Sequence, residues 1–399
     1  MTLWLKLTRR IVFIGRLFLA LPFAFLVIIV RPIWQFRFGL FFADRIGHFA
    51  FDVEYYLAER SIEKLPSRRT DIFFFKGDVC NGQIEKMVRR RLSIHNAAEF
   101  IYLTLKYLPG GFTSIVEPAR ITNGSRDKKG VFARTQHQLM FDSIDEDTAL
   151  EMLGRVGFSK GDKFVCLVVR QSAYLKKMQP KKDWSYHDYR DSDIQKYGKA
   201  CHRLVEEGYW VFRMGKVVTD EFDIGSDRVI DYANLDLKCD LLDIWLMANC
   251  TFAISTGTGL DSVADIFRRP VLYANYDVFP LMVTWANSIT VPKKLTWHES
   301  GRQLTIQEYC EHNYMNSQRY RDAGIIGVEM QPEEIVAAVD EMVDRLSDHG
   351  MSNYSIELQD RLWDLFRQQK IFAKQHGRLH PLATVGSSFL QASKADLFQ

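Results

Sequence analysis

The chain has 399 residues, 47% of them hydrophobic, enough length for two or three domains and enough apolar side chains for full cores. Lys and Arg total 52 against 49 for Asp and Glu, a formal charge of +3. That balance excludes a dedicated nucleic-acid binder, which carries a basic domain or stripe, so no nucleic-acid partner is expected. The six cysteines form no CxxC pair, and most fall in apolar periodic segments; this speaks for a reducing compartment and against structural zinc.

Residues 17–30, LFLALPFAFLVIIV, are 14 residues without charge. As a helix they cover about 21 Å, against a hydrocarbon core of about 30 Å. Extending back to Ile11 lengthens the run but puts Arg16 inside it. Lys6, Arg9 and Arg10 precede the run; Arg31 and Arg37 come after it, and IIVRPIWQFR offers no small-residue cleavage site. Pro22 could kink such a helix. The segment reads as one that anchors to, or dips into, a membrane surface; a single span and a buried helix stay open.

Downstream, DIFFFK (71–76) predicts a strand, and 83–92 and 97–107 predict helices. Residues 131–140 alternate weakly. Residues 145–156, introduced by Ser143, predict a helix, and Gly157 with the polar SKGDK (159–163) around Gly161 marks a domain junction. The pattern then becomes regular. Strands are predicted at 163–169, 209–212, 228–232, 252–254 and 271–274, with helices at 194–205, 240–247 and after 260. Doubly apolar strands alternating with helices indicate a parallel sheet covered on both sides, a Rossmann-like domain. Beyond Tyr276 the pattern dissolves until a helix from Pro332, with another around Leu358–Phe366.

Between strand and helix lies STGTG: Ser255, Thr256, Gly257, Thr258 and Gly259. The first amides of a helix lack partners and its dipole favours anions, so small residues here predict a phosphate cradle at the carboxyl edge of the sheet. The plain alternative is a tight turn with Thr258 as a helix cap. Neither GxxxxGK[ST] nor GxGxxG is present. Arg170 and Arg213 end the first two strands of the domain, and two guanidinium forks could hold a diphosphate beside the cradle. Either alone would pass for a solvated strand-end charge.

The ordered set CLVVRQSAYL (166–175), YHDYRDSDI (186–194), GYWVFRMG (208–215), IDYANLDLKCDLLDIWLMANC (230–250) and FAISTGTGL (252–260), with RIGHFAFDVEYYL (45–57), resembles a family of bacterial proteins assigned as glycosyltransferases and associated with surface polysaccharides. The strand–small loop–helix–Pro–strand unit is similar to the donor half of GT-B enzymes such as heptosyltransferases and nucleotide-sugar epimerases. An Arg at the end of the first strand is similar to the fucosyltransferase branch. Where the family carries His-x-Arg followed by a polar or acidic residue, this chain has Val168, Arg170 and Gln171, which weakens a catalytic role there.

The resemblance implies two Rossmann-like domains in a GT-B arrangement behind a membrane-associating helix. The boundaries are 1–37 for the anchor, 38–158 for the acceptor side, 159–345 for donor binding, and 346–399 for terminal helices packing back on the first domain. It further implies a nucleotide-diphosphate sugar donor, a glycan or lipid-linked acceptor, no metal or cofactor, and the cytoplasmic face of the inner membrane. His48 and Asp52 share one helical face, where Asp52 could raise the basicity of the imidazole; a packing pair is the alternative. His187 and Arg190 come after the first strand of the donor domain and are candidate donor ligands. Asp145–Asp147 and Asp191–Asp193 read as first-turn carboxylates rather than a metal-binding DxD. A non-catalytic sugar-nucleotide scaffold and a nucleotide-sugar 2-epimerase are the rival readings.

Overall fold

The computed structural model describes residues 3–63, 68–171, 183, 185–218, 220–347 and 353–399. The chain divides into two compact units, one of Met1–Ser125 with Gln138–Met140, the other of Arg126–His137 with Phe141–Gln399.

In the first unit, β1 (Gln35–Phe42), β2 (Arg69–Lys76), β3 (Ser93–Ile94) and β4 (Ile115–Val116) form a parallel sheet in the order β3-β2-β1-β4. Strand β1 was not expected, because Arg37 and Gly39 interrupt its apolar run. Both interruptions have partners across the sheet. Arg37 pairs in register with Asp71 and grips it through Nε and Nη2 at 2.7 and 2.8 Å. Gly39 lies under the Phe73 ring, where a Cβ would stand 2.6 Å from a ring carbon. Side-chain alternation gives the sheet two faces. Phe38, Leu40 and Phe74 form a core with Ala24 and Val27 of the N-terminal helix (Leu3–Val30) and with Tyr102 and Leu105 of the helix Ala98–Tyr107. On the other face, Phe41 and Phe73 stack and meet Tyr56 of the helix Ile46–Ile62.

The second unit is built on seven parallel strands: β5 (Phe164–Val168), β6 (Trp210–Arg213), β7 (Val229–Ile230), β8 (Phe252–Ser255), β9 (Val271–Tyr276), β10 (Ser288–Pro292) and β13 (Ala383–Val385). Their order is β13-β10-β9-β8-β5-β6-β7. An antiparallel ribbon of β11 (Lys294–Trp297) and β12 (Ile325–Val328) stands beside it. The first five of these strands match the sequence expectation; β10 to β12 lie where the pattern faded, and β13, beyond the last expected helix, was not anticipated. The terminal segment belongs to the second unit. Leu358, Leu362, Phe366 and Leu390 join the core of the second unit, and β13 extends its sheet. The units part near residue 125 rather than at 158, because Trp245 donates to Glu146 at 2.6 Å and the helix Ser143–Gly154 stays with the large sheet.

Candidate functional site

Strand β5 begins the large sheet from its middle. The chain runs outward through β6 and β7, then returns to lay β8, β9 and β10 on the other side. The connections therefore part company between β5 and β8, and in an open α/β sheet that switch point leaves a crevice beyond the carboxyl ends of the strands. The two loops meeting there are Val169–Gln171 and residues 256–260, and they are stitched together. Thr256 N–H donates to the Val168 carbonyl at 3.1 Å, and Arg170 N–H to Thr256 Oγ1 at 2.9 Å.

The small-residue loop is not a row of bare amides. Gly257 N–H donates to Ser255 Oγ at 3.1 Å, Thr258 N–H to Asp261 Oδ2 at 2.6 Å, and Leu260 N–H to Thr258 Oγ1 at 3.2 Å. The carboxylate of Asp261, which also accepts from Ser255 Oγ at 2.7 Å, occupies the start of the short helix Asp261–Ile266. Burial raises its pKa to about 6. Gly257 is needed for packing as well as reach: its φ is +80°, and a Cβ would come within 2.9 Å of the Tyr276 ring. Ser255 and Thr256 are buried and Gly259 is exposed. The cradle expectation fails in its simple form because the loop caps itself, a signal present in the sequence as an Asp three residues after Thr258.

The cationic groups gather differently from expectation as well. Arg213 is buried, donates to Asp231 Oδ1 at 2.8 Å and approaches Gln171 Oε1 at 3.4 Å. It is an internal ion pair and not a partner of Arg170 in a diphosphate clamp. The second guanidinium near Arg170 is Arg190. It closes the 3₁₀ turn Ser185–Arg190, and its Nη2 donates to the Gly257 carbonyl at 2.6 Å. Burial and the charge of Arg190 lower the pKa of Arg170, against the pull of Asp191 and Asp277. The Arg170 Nε stands 3.4 Å from Asp191 Oδ1, looser than a hydrogen bond. The side chain of His187 lies outside the described residues. Asp193 caps the next turn through Gln195 N–H, and Asp145 completes a capping box with Asp142. Asp191 departs from the first-turn reading by facing Arg170.

Two groups not anticipated complete the cluster, Asp277 just past β9 and Lys293 just past β10. Lys293 Nζ donates to the carbonyls of Tyr189 and Asp191 at 2.9 and 2.7 Å and lies 3.4 Å from Asp277 Oδ1. Asp277 is buried, and burial pushes its carboxyl up to about 7 although Lys293, Arg190 and Arg170 favour the charged form. Strand-end position, which singled out Arg170, would have singled out Asp277 in YANYD; Lys293 sits in the stretch without pattern. Among the described residues, no group of three or more His, Cys, Asp or Glu is placed to hold a metal ion.

In the first unit, His48 and Asp52 do not touch. Ser125 stands between them, donating from Oγ to Asp52 Oδ1 at 2.8 Å and meeting His48 Nδ1 at 2.9 Å. Its backbone φ of +55° is uncommon for a residue with a side chain. The serine proton goes to Asp52, so Nδ1 of a neutral imidazole must donate, which leaves Nε2 with the lone pair. Burial, then Arg120 and Arg45, lower the His48 pKa to about 4, while burial raises Asp52 to about 6. The imidazole is thus made less basic, the reverse of expectation, because Asp52 is neither adjacent to it nor strong enough to offset desolvation. Glu54 is structural, accepting the N–H groups of Gln138 and Leu139.

No family model matches this chain, and no curated protein matches it. Solved structures resemble it at low likeness. A glycosyl transferase family 9 protein from Veillonella parvula DSM 2008 is 7% identical, with a TM-score of 0.42 over 65% of this chain and 86% of that one. The ADP-heptose LPS heptosyltransferase II of E. coli is 13% identical (TM-score 0.33; 59% and 84%). TibC, an iron-containing dodecameric glycosyltransferase of enterotoxigenic E. coli H10407, is 12% identical (TM-score 0.38; 79% and 78%).

Proposed function

We propose that the chain is a glycosyltransferase of the two-domain GT-B type, moving a sugar from a nucleoside-diphosphate donor to a glycan or lipid-linked acceptor at the cytoplasmic face of a membrane. The observation that carries this reading is the half-buried pair Arg170 and Arg190 at the β5/β8 switch point, where Asp191 only loosely compensates Arg170 and Arg190 leans on the Gly257 carbonyl. Two adjacent guanidinium groups in a low-dielectric crevice suit a diphosphate better than a single charge. The ordered motifs of the donor half support the same substrate class.

In the reaction, the bond from the anomeric carbon to the diphosphate oxygen breaks and the acceptor oxygen takes its place. The electron pair of the broken bond stays on the diphosphate, where Arg170, Arg190 and the exposed tip at Gly259 would stabilise it. In this reading guanidinium charge does the work that a metal does in DxD enzymes. Asp277 would accept hydrogen bonds from donor hydroxyls, and Thr258 would border the phosphates. In the first unit, Nε2 of His48, its tautomer fixed by Ser125, is the candidate base for an acceptor hydroxyl, a base weakened by burial and Arg120.

The test is turnover: nucleotide released from UDP-, GDP-, ADP- and CMP-sugars (a nucleoside diphosphate from the first three, CMP from the last), with and without membrane lipid extract. Acceptor-dependent release from a diphosphate sugar, lost in His48→Ala with donor binding kept, is the expected result. Binding without release under any acceptor would favour the scaffold reading. Interconversion of the sugar without release would favour the epimerase.

A further inference from the structure

The N-terminal helix Leu3–Val30 is fastened to the first unit from Phe13 to its end. Phe13 meets the Phe100 ring at 5.8 Å, Arg16 lies over that ring at 5.4 Å, and Ala20, Ala24 and Val27 are buried. At its end Arg31 donates to the Gly110 carbonyl at 3.3 Å. The opposite side is bare: Ile14, Phe18, Leu19, Phe25 and Ile29 are exposed, in a stretch (Ile11–Val30) of mean hydropathy 2.5. A helix held this way can meet a bilayer with its free side only, and Arg16 escapes the cost of a charge in hydrocarbon by sitting against the protein.

Beside that free side opens a cavity of about 350 Å³, between the helix, β1 and the start of the helix Ala98–Tyr107. Its walls are Phe23, Leu26, Val30, Phe36, Ile72 and Ile101, among other apolar side chains, with His95 the one polar residue. The volume falls in the range of ligand pockets, about 300–1,000 Å³, and an apolar lining of this kind takes hydrocarbon rather than water. Phe23 and Leu26 belong both to the cavity and to the exposed stripe, so the opening is continuous with the surface a membrane would cover. Half-exposed Trp34 and the flanking Arg31 suit the headgroup level.

We propose that this cavity takes an acyl chain of a bilayer phospholipid and locks the first unit onto the membrane surface. The occupant is an anchoring lipid, not the acceptor, because the sheet separates the two sites. Phe36, Phe38 and Ile72 face the cavity, whereas His48 and Asp52 ride on the helix that packs against Phe41 and Phe73 on the other face. This inference rests on the membrane-surface part of the proposed function and not on glycosyl transfer.

The full chain would be reconstituted on vesicles of phosphatidylcholine and phosphatidylglycerol (4:1) containing phosphatidylcholine with a mid-chain diazirine. It would then be irradiated and the adducts mapped by mass spectrometry. Adducts on both 23–30 and 95–101 are expected, and Ala98→Trp or Ile101→Trp, which fill the cavity, should lower those adducts at least fivefold while vesicle co-sedimentation persists. Wild-type adducts confined to the exposed stripe would overturn the proposal. So would a chain that stays off vesicles and scatters light as a dimer, since a second copy would then cover the stripe. The labelling needs no donor and no turnover, so it can succeed or fail independently of the transferase reading.

Discussion

The tips of β5 and β6 lie side by side in one parallel sheet, and each carries an arginine, yet the fold treats the two charges in opposite ways. Arg213 is sealed in and matched by Asp231 at 2.8 Å. Arg170 shares its surroundings with a second guanidinium, and its nearest carboxylate is 3.4 Å away. The difference lies in the connection that leaves each strand. After β6 the chain goes on to the neighbouring strand β7, and Asp231, just past it, closes the pair. From β5 the chain makes a long excursion and returns with Arg190 and Asp191, while β9 and β10 contribute Asp277 and Lys293 from the far side of the switch point. A strand-end arginine therefore becomes a candidate ligand group through incomplete compensation, not through position alone.

The largest effect that could break this contrast is on stability. Arg213→Ala leaves Asp231 facing a cavity without its cation, and should cost about 3–5 kcal/mol in chemical denaturation. Folded variant protein should keep its affinity for donor. A mild loss of stability with a complete loss of donor binding would move Arg213 back into the site.

A smaller effect sharpens the other half of the contrast. The carboxyl of Asp277 titrates near 7 when folded, far above the ordinary range of an aspartate. The folded chain therefore keeps a proton that the unfolded chain gives up between about pH 4 and 7, so this group stabilises fully at low pH and its contribution is lost as pH rises through 7. Asp277→Asn imitates the protonated form. Its stability relative to the parent should rise by about 1–2 kcal/mol between pH 5 and pH 8, read from denaturation midpoints at each pH. A flat difference would mean that Lys293 keeps Asp277 ionised throughout.

Most of the second unit was legible because its central strands are buried on both faces and alternate with helices of apolar periodicity. What escaped notice had mixed composition. Strand β1 hides behind Arg37 and Gly39, whose partners Asp71 and Phe73 are known only once the register is known. The site was half legible for a related reason. Arg170 and the 255–259 loop announce themselves at strand ends, but whether amides are free depends on Asp261 folding back, and which arginine joins Arg170 depends on a turn with no apolar periodicity. Ser125 could not be paired with His48 from spacing, since 77 residues separate them.

The central claim is that Arg170 and Arg190 together hold a diphosphate at the β5/β8 crevice. Titration calorimetry of the full chain with UDP, GDP and ADP, repeated with Arg170→Ala, tests it directly. At least one of the three should bind, and the variant should lose about 2–5 kcal/mol of that binding while remaining folded. An Arg170→Ala protein that binds the same nucleotide as tightly as the parent would contradict the claim.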